Sequence, residues 1–503
     1  MITFNRRTVL VGAAALGATA VATWPYLSRS EASPLEPLRI PELLDARMTG
    51  GAISLTAQAG QRSFYPGRQS VTQGFNGDYL GPTLRLHRGD DVELAVSNGL
   101  GEPTAVHWHG LLAPAESDGG PHQLIEPGGK WRPRVRIDQP AATLWYHAHA
   151  HGRTARQVYS GLAGMIIVAD ETERALGLPS AYGVNDLPLI LQDKVFQDGR
   201  LVYPDHPMTM MHGLRGQVVL VNGSIGPVSR VPAGLVRLRL VNGSNARVYD
   251  LSFTDKRRFH WIASDAGLLE RPVAGSSLQL APGERAEILV DFSDGRATAL
   301  HTEPDPTMRM GDPLDAAAKL LHFEPQGVAR SPAVIPDRLI QQTRLDPAHA
   351  VRRRQLTLTM GMGGMMGRRM MGRGMPNAGM MTRQGPQTGE HSGMMAMFGI
   401  NGRSFDMQRI DHTIRLGDTE IWEVSGEMMP HPFHIHGVHF EVLSRGNKPR
   451  PAADQGPKDT VLVQEPVELL IRFTQPTAKA AFLYHCHTLE HEDGGMMGQY
   501  QTV

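Results

Sequence analysis

Ten of the 22 histidines in this 503-residue chain fall into four groups: His107/His109, His147/His149, His431/His434/His436 and His485/His487/His491. They read as "HWH", "HAH", "HPFHIH" and "HCHTLEH". On a β-strand, residues i and i+2 share a face, so each His-x-His pair turns two imidazoles to the same side. Four pairs supply eight imidazoles, and neutral imidazole is a ligand for copper, zinc, iron or nickel. The lone cysteine, Cys486, lies between His485 and His487, which points its sulfur to the opposite face. His431, three residues before His434, can turn the same way as that sulfur. The loop after it supplies His491 and Met496. Two imidazoles, a thiolate and a weak axial thioether make a blue-copper electron-transfer set. A catalytic zinc site uses three protein ligands and one open position, which this set does not match.

The elements that must position these residues are strands. Helical periodicity is scarce, and alternating stretches such as "TLRLHRGDDVELAVSNG" and "GLVRLRLVNGSN" are bounded by Gly, Asn and Asp, as in β-sandwiches. The chain also repeats itself. "HRGDDVELAVSNGLGEPTAVHWHG", "VPAGLVRLRLVNGSNARVYDLSF" and "RLGDTEIWEVSGEMMPHPFHIHG" follow one pattern of turn, strand, turn and strand. "RVRIDQPAATLWYHAHAHG" and "LLIRFTQPTAKAAFLYHCHTLEH" repeat a second element, with "PGERAEILVDF" as its nearest counterpart in the middle unit. This predicts an all-β protein of three Greek-key sandwiches, over residues 35–170, 180–327 and 350–503, with a Met-rich insertion at about 360–397 in the third. The histidine groups fall in the first and third units, so these two must face each other if the eight imidazoles are to meet. The first unit has Ala148 in place of Cys486 and Thr104 in place of His431. It therefore keeps the imidazole pairs and lacks the thiolate centre.

Composition narrows the setting. Lys+Arg and Asp+Glu are equal at 50 each, so no global field favours nucleic acid. One cysteine excludes an intramolecular disulfide. Arg6-Arg7 followed by a modestly apolar stretch to Thr23 reads as a twin-arginine export signal over residues 1–33. That stretch is shorter than the roughly 20 residues of a membrane span. The expected setting is the periplasm, as a monomer with no stable membrane anchor.

The motifs "HWHG", "HAHAHG", "HPFHIHG" and "HCHTLEHEDGGMM" resemble the four copper signatures of the multicopper oxidases, across essentially the whole mature chain. The resemblance implies three cupredoxin-like domains and four copper ions. The type 1 copper would be held by His431, Cys486, His491 and Met496, and the type 2 copper by His107 and His434. One type 3 copper would take His109, His147 and His487, and the other His149, His436 and His485. It also implies one-electron oxidations coupled to the reduction of O₂ to water, with Asp118 and Glu492 in a proton relay. Electrons would pass from Cys486 through its own backbone to His485 and His487, roughly 7 Å of strand.

The tract "MGMGGMMGRRMMGRGM" from Met360 bears on the electron donor, since soft thioethers select Cu(I). "RRRQLTLTM" and "HPFHIHG" resemble parts of the bacterial cuprous oxidases of copper tolerance. Met360, Met365, Glu427 and Met429 would then bind substrate Cu(I), with Glu427 and Met365 where that subfamily has Asp. The expectation is a periplasmic cuprous oxidase with some laccase-like activity on small phenolic reductants. The alternatives are a laccase or bilirubin-oxidase-like enzyme whose Met-rich tract caps an organic-substrate pocket, and a non-enzymatic copper store.

Overall fold

The computed structural model describes residues 36–308, 315–327, 334–361, 398–446, 448–449 and 454–503. Residues 1–33, expected to be an export signal, and nearly all of the Met-rich tract, Met365 included, lie outside the described residues. Among the described residues, six sheets pair into three sandwiches. In the first, a sheet ordered Leu43–Asp45, Thr83–His87, Ala163–Ala169, Ala142–Ala148, Val106–His109 shares a core with one ordered Arg68–Phe75, Ala52–Tyr65, Asp91–Asn98, Lys130–Trp131. In the second, Asp186–Gln197, Leu235–Asn242, Arg285–Asp291 and Phe259–Ser264 are consecutive neighbours, packed on a sheet containing Tyr249–Phe253 and Thr298–Glu303. In the third, Arg352–Met360, Thr419–Gly426, Val467–Arg472 and Phe440–Arg445 pack on His412–Ile414, Met497–Thr502, Phe482–Cys486, His431–Ile435 and Thr460–Val463.

All three sandwiches share one topological feature. A strand near the start of each pairs in parallel with a later one: Ala52–Tyr65 with Asp91–Asn98, Asp186–Gln197 with Leu235–Asn242, and Arg352–Met360 with Thr419–Gly426. A parallel pair cannot be joined by a tight hairpin, so the same crossover recurs three times.

The burial pattern separates outer strands from those that build the site. "DVELAVSN" alternates buried and partly exposed residues, one face toward the core and the other toward water. "ATLWYHA", "HPFHI" and "FLYHC" are buried at every position. A strand loses its alternation when a second body covers its outer face, and here that body is a neighbouring sandwich. The first sandwich's helix Thr154–Ser160 shows how tight the junction is. The backbone N–H groups of Thr154 and Ala155, free at the helix start, donate to Asp493 of the third sandwich at 3.1 and 2.9 Å.

The first and second sandwiches are joined by buried charge. Arg237 and Arg239, on Leu235–Asn242, reach Glu287 of their own sheet, and Arg239 Nη1 also donates to Thr143 Oγ of the first sandwich at 3.1 Å. Burial opposes ionisation of Glu287, but the two guanidinium groups outweigh it and hold that carboxyl down at about 2. Among the described residues no helix is long and apolar enough to cross a membrane.

Candidate metal centre

Strand register brings the histidine groups together. In the first sandwich His107 lies directly opposite His147. In the third, His434 lies opposite His485 and Phe433 opposite Cys486. The two sandwiches face each other along these strands: the His107 ring stacks on His436 at 3.8 Å between centroids, and His109 stacks on His434 at 3.7 Å. Side-chain ligand atoms within 4.8 Å of one another define the sets His107/His109/His434, His109/His147/His487, His149/His436/His485 and His431/Cys486/His491, all buried.

Hydrogen bonding decides which ring nitrogens are available. A backbone carbonyl only accepts, so a ring nitrogen bonded to one must carry the proton. His107 Nδ1 donates to the Asp118 carbonyl (3.0 Å), His147 Nδ1 to Ala148 (2.9 Å), His434 Nδ1 to Asp459 (2.8 Å) and His485 Nδ1 to Cys486 (3.0 Å). His436 Nδ1 lies 2.6 Å from the Asp118 carboxylate. Each ring bonded to a carbonyl therefore turns a bare Nε2 lone pair the other way, and those of His107 and His434 face each other. His107 Nε2 is 3.3 Å from His434 Nε2, and His436 Nε2 is 3.1 Å from His485 Nε2. His149 Nε2 is 3.4 Å from His485 Nε2, and His147 Nε2 is 3.4 Å from His109 Nδ1.

Converging acceptors with no proton between them repel. Protonation is not the remedy here, because burial and the neighbouring rings hold most of these imidazoles far below the usual histidine range, His147 at about 3. Among the described residues, neither nitrogen of the buried His487 has a hydrogen-bond partner. Cations resolve all of this, and the residues present fit a multinuclear metal site.

The thiolate centre lies on the other side of the same strand. Cys486 Sγ is 3.5 Å from His431 Nδ1 and 3.6 Å from His491 Nδ1. His431 Nε2 donates to the Glu427 carbonyl at 3.0 Å and His491 Nε2 to the Met211 carbonyl at 3.2 Å. Both Nδ1 lone pairs are therefore left facing the sulfur. Met496 is fully buried in the same core cluster, and its carbonyl accepts the Cys486 N–H at 3.1 Å. Burial pushes the Cys486 thiol up to about 12, so it becomes a thiolate only when a cation takes the proton's place. A copper held this way would exchange single electrons.

The other residues singled out in the sequence divide. Asp118 and Glu492 are buried beside the imidazoles, and burial raises both carboxyls well above their ordinary range. Asp118 grips His436, while the Glu492 oxygens stand 3.4 Å from His149 Nδ1 and from His485 Nδ1. Met360 ends its strand buried, with its N–H donating to the Glu427 carboxylate at 3.0 Å, and Met429 packs at the edge of the same core.

Sequence reasoning missed Asp459, Thr460 and Arg285. Asp459 Oδ1 and Thr460 Oγ each lie 3.0 Å from His109 Nε2, and Arg285 of the middle sandwich pairs with Asp459. No ligand-type motif surrounds them. A buried Asp–Arg pair 174 residues apart leaves no local signal.

Two family models described as multicopper oxidase match the chain, over residues 56–173 and 375–503. Among solved structures, a laccase-like multi-copper oxidase, CueO, from Ochrobactrum sp. is 40% identical with a TM-score of 0.81, covering 93% of this chain and 100% of that one. A multicopper oxidase from Campylobacter jejuni is 26% identical with a TM-score of 0.77, covering 93% and 96%. The chain belongs to the multicopper oxidase family, with the all-β cupredoxin-like architecture and the copper binding that go with it.

Its curated relatives carry a different role. The "Cell division protein FtsP" of Xenorhabdus nematophila is 39% identical over 484 residues, 94% of each chain. That of Escherichia coli K12 is 38% identical over 476 residues, again 94% of each. These near full-length relatives overturn the expectation of an oxidase enzyme that turns over Cu(I) or phenols in copper tolerance. They are named for cell division and not for an oxidation. The substrate role expected of Met360, Glu427 and Met429 and the relay expected of Asp118 and Glu492 were expectations of that oxidase reading, and the relatives' names do not bear on these residues one by one. The physical reason is general: a fold and its ligand set are shared by relatives with different roles, and residue chemistry alone does not choose between them.

Proposed function

We propose that this chain is a copper-loaded periplasmic protein that serves cell division. The observation that carries the copper half is the convergence of imidazole lone pairs described above. It supports four ions: a type 1 copper on His431, Cys486, His491 and Met496; a type 2 copper on His107 and His434; and a type 3 pair on His109, His147 and His487 and on His149, His436 and His485. In this reading Asp118 and Glu492 orient ligand rings, as carboxylates behind metal-bound imidazoles do. The division half is supported by relatives named for that process over 94% of the chain. Export to the periplasm is supported by Arg6-Arg7 and the apolar stretch that follows.

The test is genetic. Deleting the gene in its native host should lengthen cells by delaying septation, and the wild-type gene should restore normal length. Cells that divide normally without the gene would sink the division reading. Restoration by a Cys486→Ser, His436→Gln double variant as good as by the wild type would separate division from copper.

A further inference from the structure

Among the described residues, the middle sandwich donates no ligand to any of these clusters, yet Arg285 points from it into the copper site. Arg285 is completely buried, and each nitrogen of its guanidinium has a carbonyl or carboxylate partner. Nε donates to the Thr143 carbonyl (3.3 Å), Nη1 to the Gly283 carbonyl (2.8 Å) and to Asp459 Oδ1 (2.7 Å), and Nη2 to the Asp265 carbonyl (2.9 Å) and Asp459 Oδ2. Such a fork fixes a carboxylate in position and orientation at once. Gly110, directly after the "HWH" triplet, makes room for the pair. A Cβ there would stand 2.6 Å from Arg285 Nη2 and 2.7 Å from Asp459 Oδ2, and the backbone has φ +88°, a conformation that favours glycine.

The held carboxylate has one further task. Asp459 Oδ1 faces His109 Nε2 at 3.0 Å and accepts the Thr460 hydroxyl at 2.8 Å. A carboxylate forked to arginine is an acceptor, so Nε2 of His109 must carry the proton, and the ring turns its Nδ1 lone pair toward His147. The rings anchored through Nδ1 to backbone carbonyls, those of His107, His147, His434 and His485, present Nε2 instead. His109 is reversed relative to these four, and Arg285–Asp459 is what reverses it.

We infer that Arg285 and Asp459 are positioning residues: the middle sandwich dictates, through this pair, which nitrogen His109 offers and hence whether the His109/His147/His487 position fills with copper. This rests on the four-copper reading, but part of it is testable without metal. In copper-free protein labelled with ¹⁵N-histidine, His109, assigned by the resonance lost in His109→Gln, should be protonated at Nε2. Protonation at Nδ1 overturns the inference. In copper-loaded protein, Arg285→Met should lower copper by one to two ions per chain with the blue absorption of the thiolate centre retained, and Arg285→Lys should restore most of the loss. Unchanged copper in Arg285→Met overturns the inference. So does loss of the blue band in step with the other ions, which would make Arg285 a brace for the fold as a whole. A wild-type chain that takes up no copper defeats the four-copper reading and leaves the tautomer result standing.

Discussion

At the scale of single residues, the thiolate centre is held in a form that only a metal completes. With the Cys486 thiol pushed up to about 12 by burial, the metal-free protein carries an inert thiol at neutral pH, since the thiolate is the reactive species. We expect alkylation of metal-free Cys486 by iodoacetamide at pH 8 to be at least 10-fold slower than that of the unfolded chain, a conservative figure for a buried thiol. Alkylation as fast as in denaturant would contradict this placement. The clusters of imidazoles were legible in the sequence because i, i+2 spacing on a strand forces two side chains to one face, and because the pattern recurs in two repeats. Asp459 and Arg285 were not legible. Each is an ordinary charged residue whose role exists only where Arg285–Asp291 of the second sandwich meets the turn before Thr460–Val463 of the third.

At the scale of elements, helices and strands from different sandwiches lock together through buried polar groups. Lys194, on Asp186–Gln197, donates from Nζ to the Tyr159 carbonyl of helix Thr154–Ser160 at 2.8 Å, with Nζ 4.1 Å from the Tyr159 ring centroid. Burial lowers its ammonium from 10.5 to about 7, against the pull of Asp193 and Glu490. The unfolded chain keeps this proton up to about 10.5 and the folded chain only to about 7. Stability from this group therefore rises as pH climbs from 7 toward 10 and is lost as pH falls back, with a limiting slope of about 1.4 kcal/mol per pH unit. Denaturant unfolding between pH 7 and 9.5 should show that slope in the wild type and a flatter one in Lys194→Met. Equal slopes would mean that Lys194 stays charged in the fold. Strand alternation announced the outer strands in the sequence. The fully buried strands carried no period, because contact with a neighbouring sandwich erased it.

At the scale of the whole molecule, three copies of one sandwich have divided their labour. The first and third supply ligands, and the second supplies charge that braces both. Its Arg237 and Arg239 engage Glu287 at the junction with the first sandwich, and its Arg285 holds Asp459 of the third. The sandwich class was visible in turns and repeats, and the clustering of the imidazoles in their spacing. The biological role was not visible. Motifs of this kind report what a site can bind, while the process it serves depends on surfaces and partners that no ligand motif encodes.

The most direct test of the account is the copper content of the purified, folded protein after loading with excess Cu(II) and removal of unbound metal. The account predicts about four ions per chain, with a blue absorption band that disappears in Cys486→Ser while about three ions remain. A folded wild-type chain that retains no copper, or binds it without any blue band, would contradict the central claim that these converging imidazoles and the buried thiol are a working copper site.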